Sequence, residues 1–148
     1  MAVVILVGCR TTGYMKSDTA ASNSQVAALE VQAESRELEA TMGALSDLVI
    51  QPATDAKPQF LRFSAVLDRL GESSERATSR VNRMGQKRAA YFQVWDQEIA
   101  AIKDEEIRNR SQARKAEVNA QVDSACRQYD EAQNGLKSLI GYLRDIRK

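Results

Sequence analysis

Cys9 closes a wholly apolar run from Met1 to Gly8 and is the side chain here best placed for covalent chemistry. Leu6, Val7, Gly8 and Cys9 follow the pattern of a bacterial lipobox. In that motif the thiol takes up a diacylglycerol as a thioether and the cysteine becomes the mature N-terminus. The residue types suit the steps, since a small residue before the cleaved bond fits the peptidase and the sulfur is the required nucleophile. A bilayer-spanning helix takes about 20 apolar residues, so this run is too short to cross a membrane. Residues 1–8 therefore read as the remnant of a signal peptide and 9–16 as a lipidated tether. A secretory signal opens on a positive segment, yet no Lys or Arg precedes Cys9, which puts the expected start upstream of Met1. The competing account makes Cys9 an ordinary core thiol at the start of a strand or helix. The polar stretch Arg10 to Gly13, directly after the apolar run, favours the signal. One lipidated cysteine with two acyl chains meets the two-anchor strength that stable attachment needs. Arg10 stands where an aspartate would mark inner-membrane retention. The expected location is the periplasmic side of a bacterial envelope, with the outer membrane favoured over the inner.

Enzyme chemistry fails on inventory. The chain has no histidine, which removes the commonest general acid-base group and the commonest metal ligand. Serines lack that partner, no glycine-rich phosphate loop occurs, and Cys9 and Cys126 form no metal-binding pair. No catalytic residue, metal or cofactor is expected. Asp104, Glu105 and Glu106, beside Lys103 and Arg108, read as a helix start with Asp104 as N-cap. Cys126 is more simply a small apolar filler than a cross-link between copies. Tyr91, Phe92 and Trp95 sit at helical spacing, which suits a core better than a binding cleft. Arg76, Arg80, Arg83, Lys87 and Arg88 form a basic run that could meet an anionic lipid, lipopolysaccharide or glycan. Pairing with the acidic residues around it is the more economical account. With 21 basic and 20 acidic residues the formal net charge is +1, so nothing points to nucleic acid.

These residues need elements to hold them, and the composition selects helices. Aromatics make up only 5% of the 148 residues, and Ala, Glu, Gln, Arg, Ser and Leu dominate. Apolar residues recur at steps of three and four in three segments. The clearest seam is Val118, Val122, Ala125, Tyr129, Ala132, Leu136, Leu139, Leu143 and Ile146, a heptad pattern. The middle seam runs Phe60, Phe63, Leu67, Leu70, Ser74, Ala77, Val81, Met84, Arg88, Phe92, Trp95, Ile99 and Ile102, with a stutter at Arg88. Gly71 and Gly85 lack turn chemistry around them, so that helix is expected to be continuous. In the first segment Val26, Leu29 and Ala33 define one face, while Val31, Leu38, Met42, Leu45 and Val49 drift to another. Pro52 and Pro58 mark the first break, and the charged stretch after Ile102 the second.

The spacing thus predicts helices over about 17–50, 59–102 and 105–148. The expected fold is all-α, a three-helix up-down-up coiled-coil-like bundle of long antiparallel helices spanning 17–148. Folding about Asp55 brings Glu34 near Arg76 and Glu30 near Arg80, pairs that set register more than stability.

Several features together resemble a family of bacterial proteins defined only as a domain of unknown function and often described as lipoproteins. They are Tyr14 to Lys16 soon after the lipobox, Tyr91 and Phe92 followed by Trp95 and Glu98, Asn109 with Ser111, and the run from Tyr129 to Leu143. The resemblance implies a secreted helical coiled-coil protein with no known activity. It also implies a longer chain, and the seam runs into Ile146 without a capping glycine, so continuation past Lys148 is expected. Two functions are open at this point. One is a membrane-tethered structural or scaffold module that docks protein partners or self-associates through its helical seams. The other is an amphipathic lipid-handling or membrane-surface binding protein. The charged outer faces and the narrow third seam favour the first.

Overall fold

A computed structural model describes residues 12–50 and 54–148. The chain forms α1 (Thr12–Ile50), α2 (Lys57–Ala101) and α3 (Glu105–Ile146), and no strand occurs among the described residues. Asp47 meets Arg62 and Glu37 meets Arg69, so α1 and α2 are antiparallel; Trp95 meets Ser111 and Asp68 meets Arg147, so α2 and α3 are too. The protein is an all-α, three-helix up-down-up bundle.

Local chemistry explains the boundaries. Pro58 sits in the first turn of α2, where its missing N–H costs nothing, and the Asp55 carboxylate accepts from the Lys57 amide at 3.0 Å. Asp104 caps α3 as expected, its Oδ1 accepting from the Ile107 amide at 3.0 Å, with Glu105 and Glu106 in the positive first turn. α1 starts at Thr12, earlier than residue 17, because nothing between Tyr14 and Lys16 breaks a helix. α2 runs unbroken through Gly71 and Gly85.

The main core joins all three helices near the α1–α2 turn. Ala44, Phe63, Val66, Leu67, Leu70, Ile140 and Leu143 are buried there, and Leu38, Leu45, Leu48, Leu136 and Leu139 pack against them. The α2 seam matches its expected face, although Phe60 is exposed. The α1 face is different from expectation. Its buried residues are Ala27, Glu34, Thr41 and Ala44, while Val26, Leu29, Met42 and Val49 are exposed. The inward stripe is therefore small and polar, which lets α1 lie close to α2. Thr41 Oγ1 donates to the Glu37 carbonyl at 2.7 Å and also reaches the Val66 carbonyl across the interface at 3.3 Å. In α3 the seam turns toward Gln133, Ile140 and Leu143, and Ala125, Ala132 and Ile146 face solvent. α3 also stands off: among the described residues none of its Cα atoms comes within 8 Å of α1, and its approach to α2 is sparse beside that of α1.

Candidate functional site

Polar side chains tie the three helices together where apolar ones do not. Gln133 Nε2 donates to Glu34 Oε1 at 2.5 Å, and its Oε1 accepts from Ser74 Oγ at 3.0 Å; all three residues are buried. One turn along α3, the Tyr129 hydroxyl lies 3.5 Å from Thr78 Oγ1. Burial pushes the Tyr129 phenol above its ordinary value, with Glu34 and Asp130 adding to the rise and hydrogen bonds from Thr78 and Gln133 opposing it. This layer fixes the register of α3. It also corrects the first hairpin: Glu30, not Glu34, faces both Arg76 and Arg80, at 3.9 and 3.8 Å, because Glu34 turns into the core toward Gln133.

The basic run is divided among neighbours. Arg76 and Arg80 share Glu30, with Glu72 also near Arg76, and Arg88 binds Asp123 at 2.7 Å. Lys87 is exposed, and Arg83 lies with Arg76 and Arg80 around a hollow that Glu30, Glu72 and Glu75 also line. Arg76, Arg80 and Arg83 are thus brought together among carboxylates, while Arg88 is drawn to Asp123 on α3. Arg83 also borders a groove between α2 and α3 with a volume of about 710 Å³. The buried Gly71 and Ser74 and the half-buried Thr78 line it from α2, and the exposed Lys137, Gly141 and Arg144 from α3. The groove exists because small side chains occupy the facing positions of two helices that the polar layer holds apart. A Cβ at Gly71 would lie 2.7 Å from Arg144 Nη2, so the missing side chain is where that guanidinium rests.

Elsewhere the structure has less to offer chemistry. Phe92 is buried and Tyr91 and Trp95 half-buried, with ring centroids 5.6–6.0 Å apart, and Trp95 Nε1 donates to Ser111 Oγ at 3.1 Å. Beside them Ala20, Met84, Tyr91, Val118 and Val122 enclose a cavity of about 210 Å³. Cys126 is a half-buried free thiol. Among the described residues no group of three or more His, Cys, Asp or Glu side chains could hold a metal, and no helix is long and apolar enough to cross a membrane. Leu6, Val7, Gly8 and Cys9 lie outside the described residues.

Sequence reasoning did not find the groove. The signal was available in the small residues at positions 71, 74 and 78, beside the apolar seam of α2, and in Lys137 and Arg144, which are one heptad apart on α3.

No curated protein and no solved structure matches the chain. The model of the family described as protein of unknown function (DUF2959) matches residues 8–146, from the residue before Cys9 to the last residue of α3. That match covers nearly all of the 148 residues, and the chain belongs to the DUF2959 family.

Proposed function

We propose that this protein is an envelope lipoprotein, anchored through Cys9 on the periplasmic side, whose helical bundle serves as a structural module that docks a protein partner. Support for the anchor comes from the lipobox residues and from α1, which begins at Thr12, so that only Arg10 and Thr11 separate the acylated residue from a helix. With 39 residues, α1 extends about 58 Å at 1.5 Å per residue. A tether at one end of such a rod carries the rest of the bundle well clear of headgroups. Arg10 favours the outer membrane as the place of attachment.

The observation that carries the docking function is the open α2–α3 groove of about 710 Å³, beside which the hollows of about 480, 340 and 210 Å³ elsewhere between the described helices are smaller. Lipid handling fits less well. The more apolar cavity, beside Tyr91, holds about 210 Å³, below the roughly 300–1,000 Å³ usual for small-molecule sites.

Cells fed an alkyne-bearing fatty acid test the anchor. The expected result is label on the wild-type chain, found in the membrane fraction, and loss of both in Cys9→Ala. A mature protein whose intact mass shows a bare thiol and a retained leading peptide overturns it. The docking role is tested apart, with vesicles and the Cys9→Ala chain. The expected outcome is no sedimentation with vesicles at high salt, whereas salt-resistant binding would establish lipid handling instead.

A further inference from the structure

We propose that the α2–α3 groove receives an acidic helical segment of a partner protein, which lies along it as a fourth helix. The proposal rests on the partner-docking function above and names the chemistry of that partner.

Charge is the first argument. α2 carries six arginines, and five of them, Arg62, Arg69, Arg76, Arg80 and Arg88, meet a carboxylate of this chain. Arg83 meets none among the described residues, and it is the one that borders the groove. Across from it Lys137 and Arg144 are exposed and likewise form no ion pair or hydrogen bond among the described residues. Of the other α3 cations, Arg110 meets Glu106, Arg114 meets Glu117 and Lys115 meets Asp96, while Arg108 donates to the Ile102 carbonyl and Arg127 stands exposed away from the groove. Glu75 is the one carboxylate residue on the groove wall, so three cations face an excess of one sign.

Length is the second. The Arg144 guanidinium rests against Gly71, and Arg83 lies 12 residues farther along α2, or about 18 Å. A single phosphate or carboxylate cannot reach both ends of that interval. A helix of three or more turns can, presenting carboxylates to each. Ser74 and Thr78 on α2 and Gly141 on α3 are short, which leaves room for its backbone to come close beyond the point where Arg144 rests on Gly71. A flat bilayer cannot enter the recess, and face-to-face docking of a second copy would set these cations against themselves.

The probe is a fluorescein-labelled synthetic helix of about 18 residues built from Ala, Leu and Glu, some 27 Å long. It is titrated into the full chain at low salt, beside a Lys-for-Glu counterpart. Expected is saturable one-to-one binding of the acidic peptide alone, weakened about tenfold or more in Arg83→Glu/Arg144→Glu, since like charges then face each other. Arg36→Glu/Arg127→Glu, which makes the same change of charge on exposed residues away from the groove, should bind as the wild type does. Circular dichroism confirms that both double variants remain helical. No saturable binding, equal loss in the two double variants, or equal binding of the basic peptide overturns the proposal. So does sedimentation of the full chain with anionic vesicles that depends on Arg83 and Arg144, which would assign these cations to a lipid surface. So does a dimer of the full chain that dissociates in Arg83→Glu/Arg144→Glu. Failure of the groove to bind leaves acylation of Cys9 as it was, and failure of acylation leaves peptide binding as it was.

Discussion

The bundle has two ends built on different physics. Near the α1–α2 turn, Phe63, Leu67 and Leu70 are fully buried and lie among leucines of both neighbouring helices. Near the α2–α3 turn, Tyr91 and Trp95 stay half-exposed, and the helices are joined by Arg88 with Asp123, Asp96 with Lys115, and Trp95 with Ser111. Burial is worth about 25 cal/mol per Å² of apolar surface, whereas exposed ion pairs contribute roughly 0.2–1 kcal/mol each. Stability should therefore be concentrated at the first end and specificity of pairing at the second. The groove lies between them, where apolar side chains give way to Ser74, Thr78 and Gln133.

The comparison is broken most directly by truncating one apolar side chain toward each end. Leu67→Ala leaves a cavity among packed side chains and should cost about 2–5 kcal/mol in denaturant unfolding. Val122→Ala, at a half-buried site on α3, should cost about 1 kcal/mol. Hydrogen exchange sharpens it. Amides around 91–95 and 111–122 should exchange through openings of lower free energy than those around 63–70. Equal costs, or uniform protection along α2, would make the bundle a single cooperative rod.

The middle layer gives the next largest effect. Gln133→Ala removes the group that serves both Glu34 and Ser74, leaving two buried polar groups without it, and should cost about 1–3 kcal/mol. Replacing Glu34, Ser74 and Gln133 together by apolar residues of similar size should restore much of that loss, because no polar group is then stranded. It should also blur the register of α3, visible as broadened resonances for Leu136 and Leu139.

What could be read from the residues alone divides along the same line. Where apolar side chains make the contact, as in the α2 seam from Phe63 to Phe92, periodicity located the buried face. Turn and cap chemistry at Pro58 and Asp104 was equally legible, since it acts over a few residues. Glu34, Thr41 and Gln133 were not, because a polar residue goes inside only when a partner from another helix is waiting, and that partner is invisible along one chain. The α1 seam was misplaced for this reason, and Glu34 was assigned to Arg76 on the surface. The groove escaped because it is made of what is missing, short side chains on two helices, and no periodicity records a gap.

Ser73 gives a smaller effect of opposite sign. It is fully buried, and its hydroxyl has no hydrogen-bond partner among the described residues. Ser73→Ala should raise stability by up to about 1 kcal/mol, from relief of an unsatisfied hydroxyl and from better helix propensity. A loss on thermal unfolding would show that the hydroxyl is satisfied in solution.

The smallest effect separates the layer from the two ends by pH. Burial, helped by Glu34 and Asp130, holds the Tyr129 phenol above its ordinary value of 10.0, against the opposing hydrogen bonds from Thr78 and Gln133. The folded state thus favours the neutral phenol more than the unfolded chain does. Its contribution is complete below pH 10 or so and is lost as pH rises through the higher folded value. Wild type and Tyr129→Phe should accordingly show a stability difference that is constant from neutral pH to about 9 and then moves against the wild type, because only the phenol must ionise. If Tyr129→Phe follows the wild type throughout, the contact between Thr78 and Tyr129 does not persist in solution, and within the middle layer Gln133 alone then joins α3 to Glu34 and Ser74.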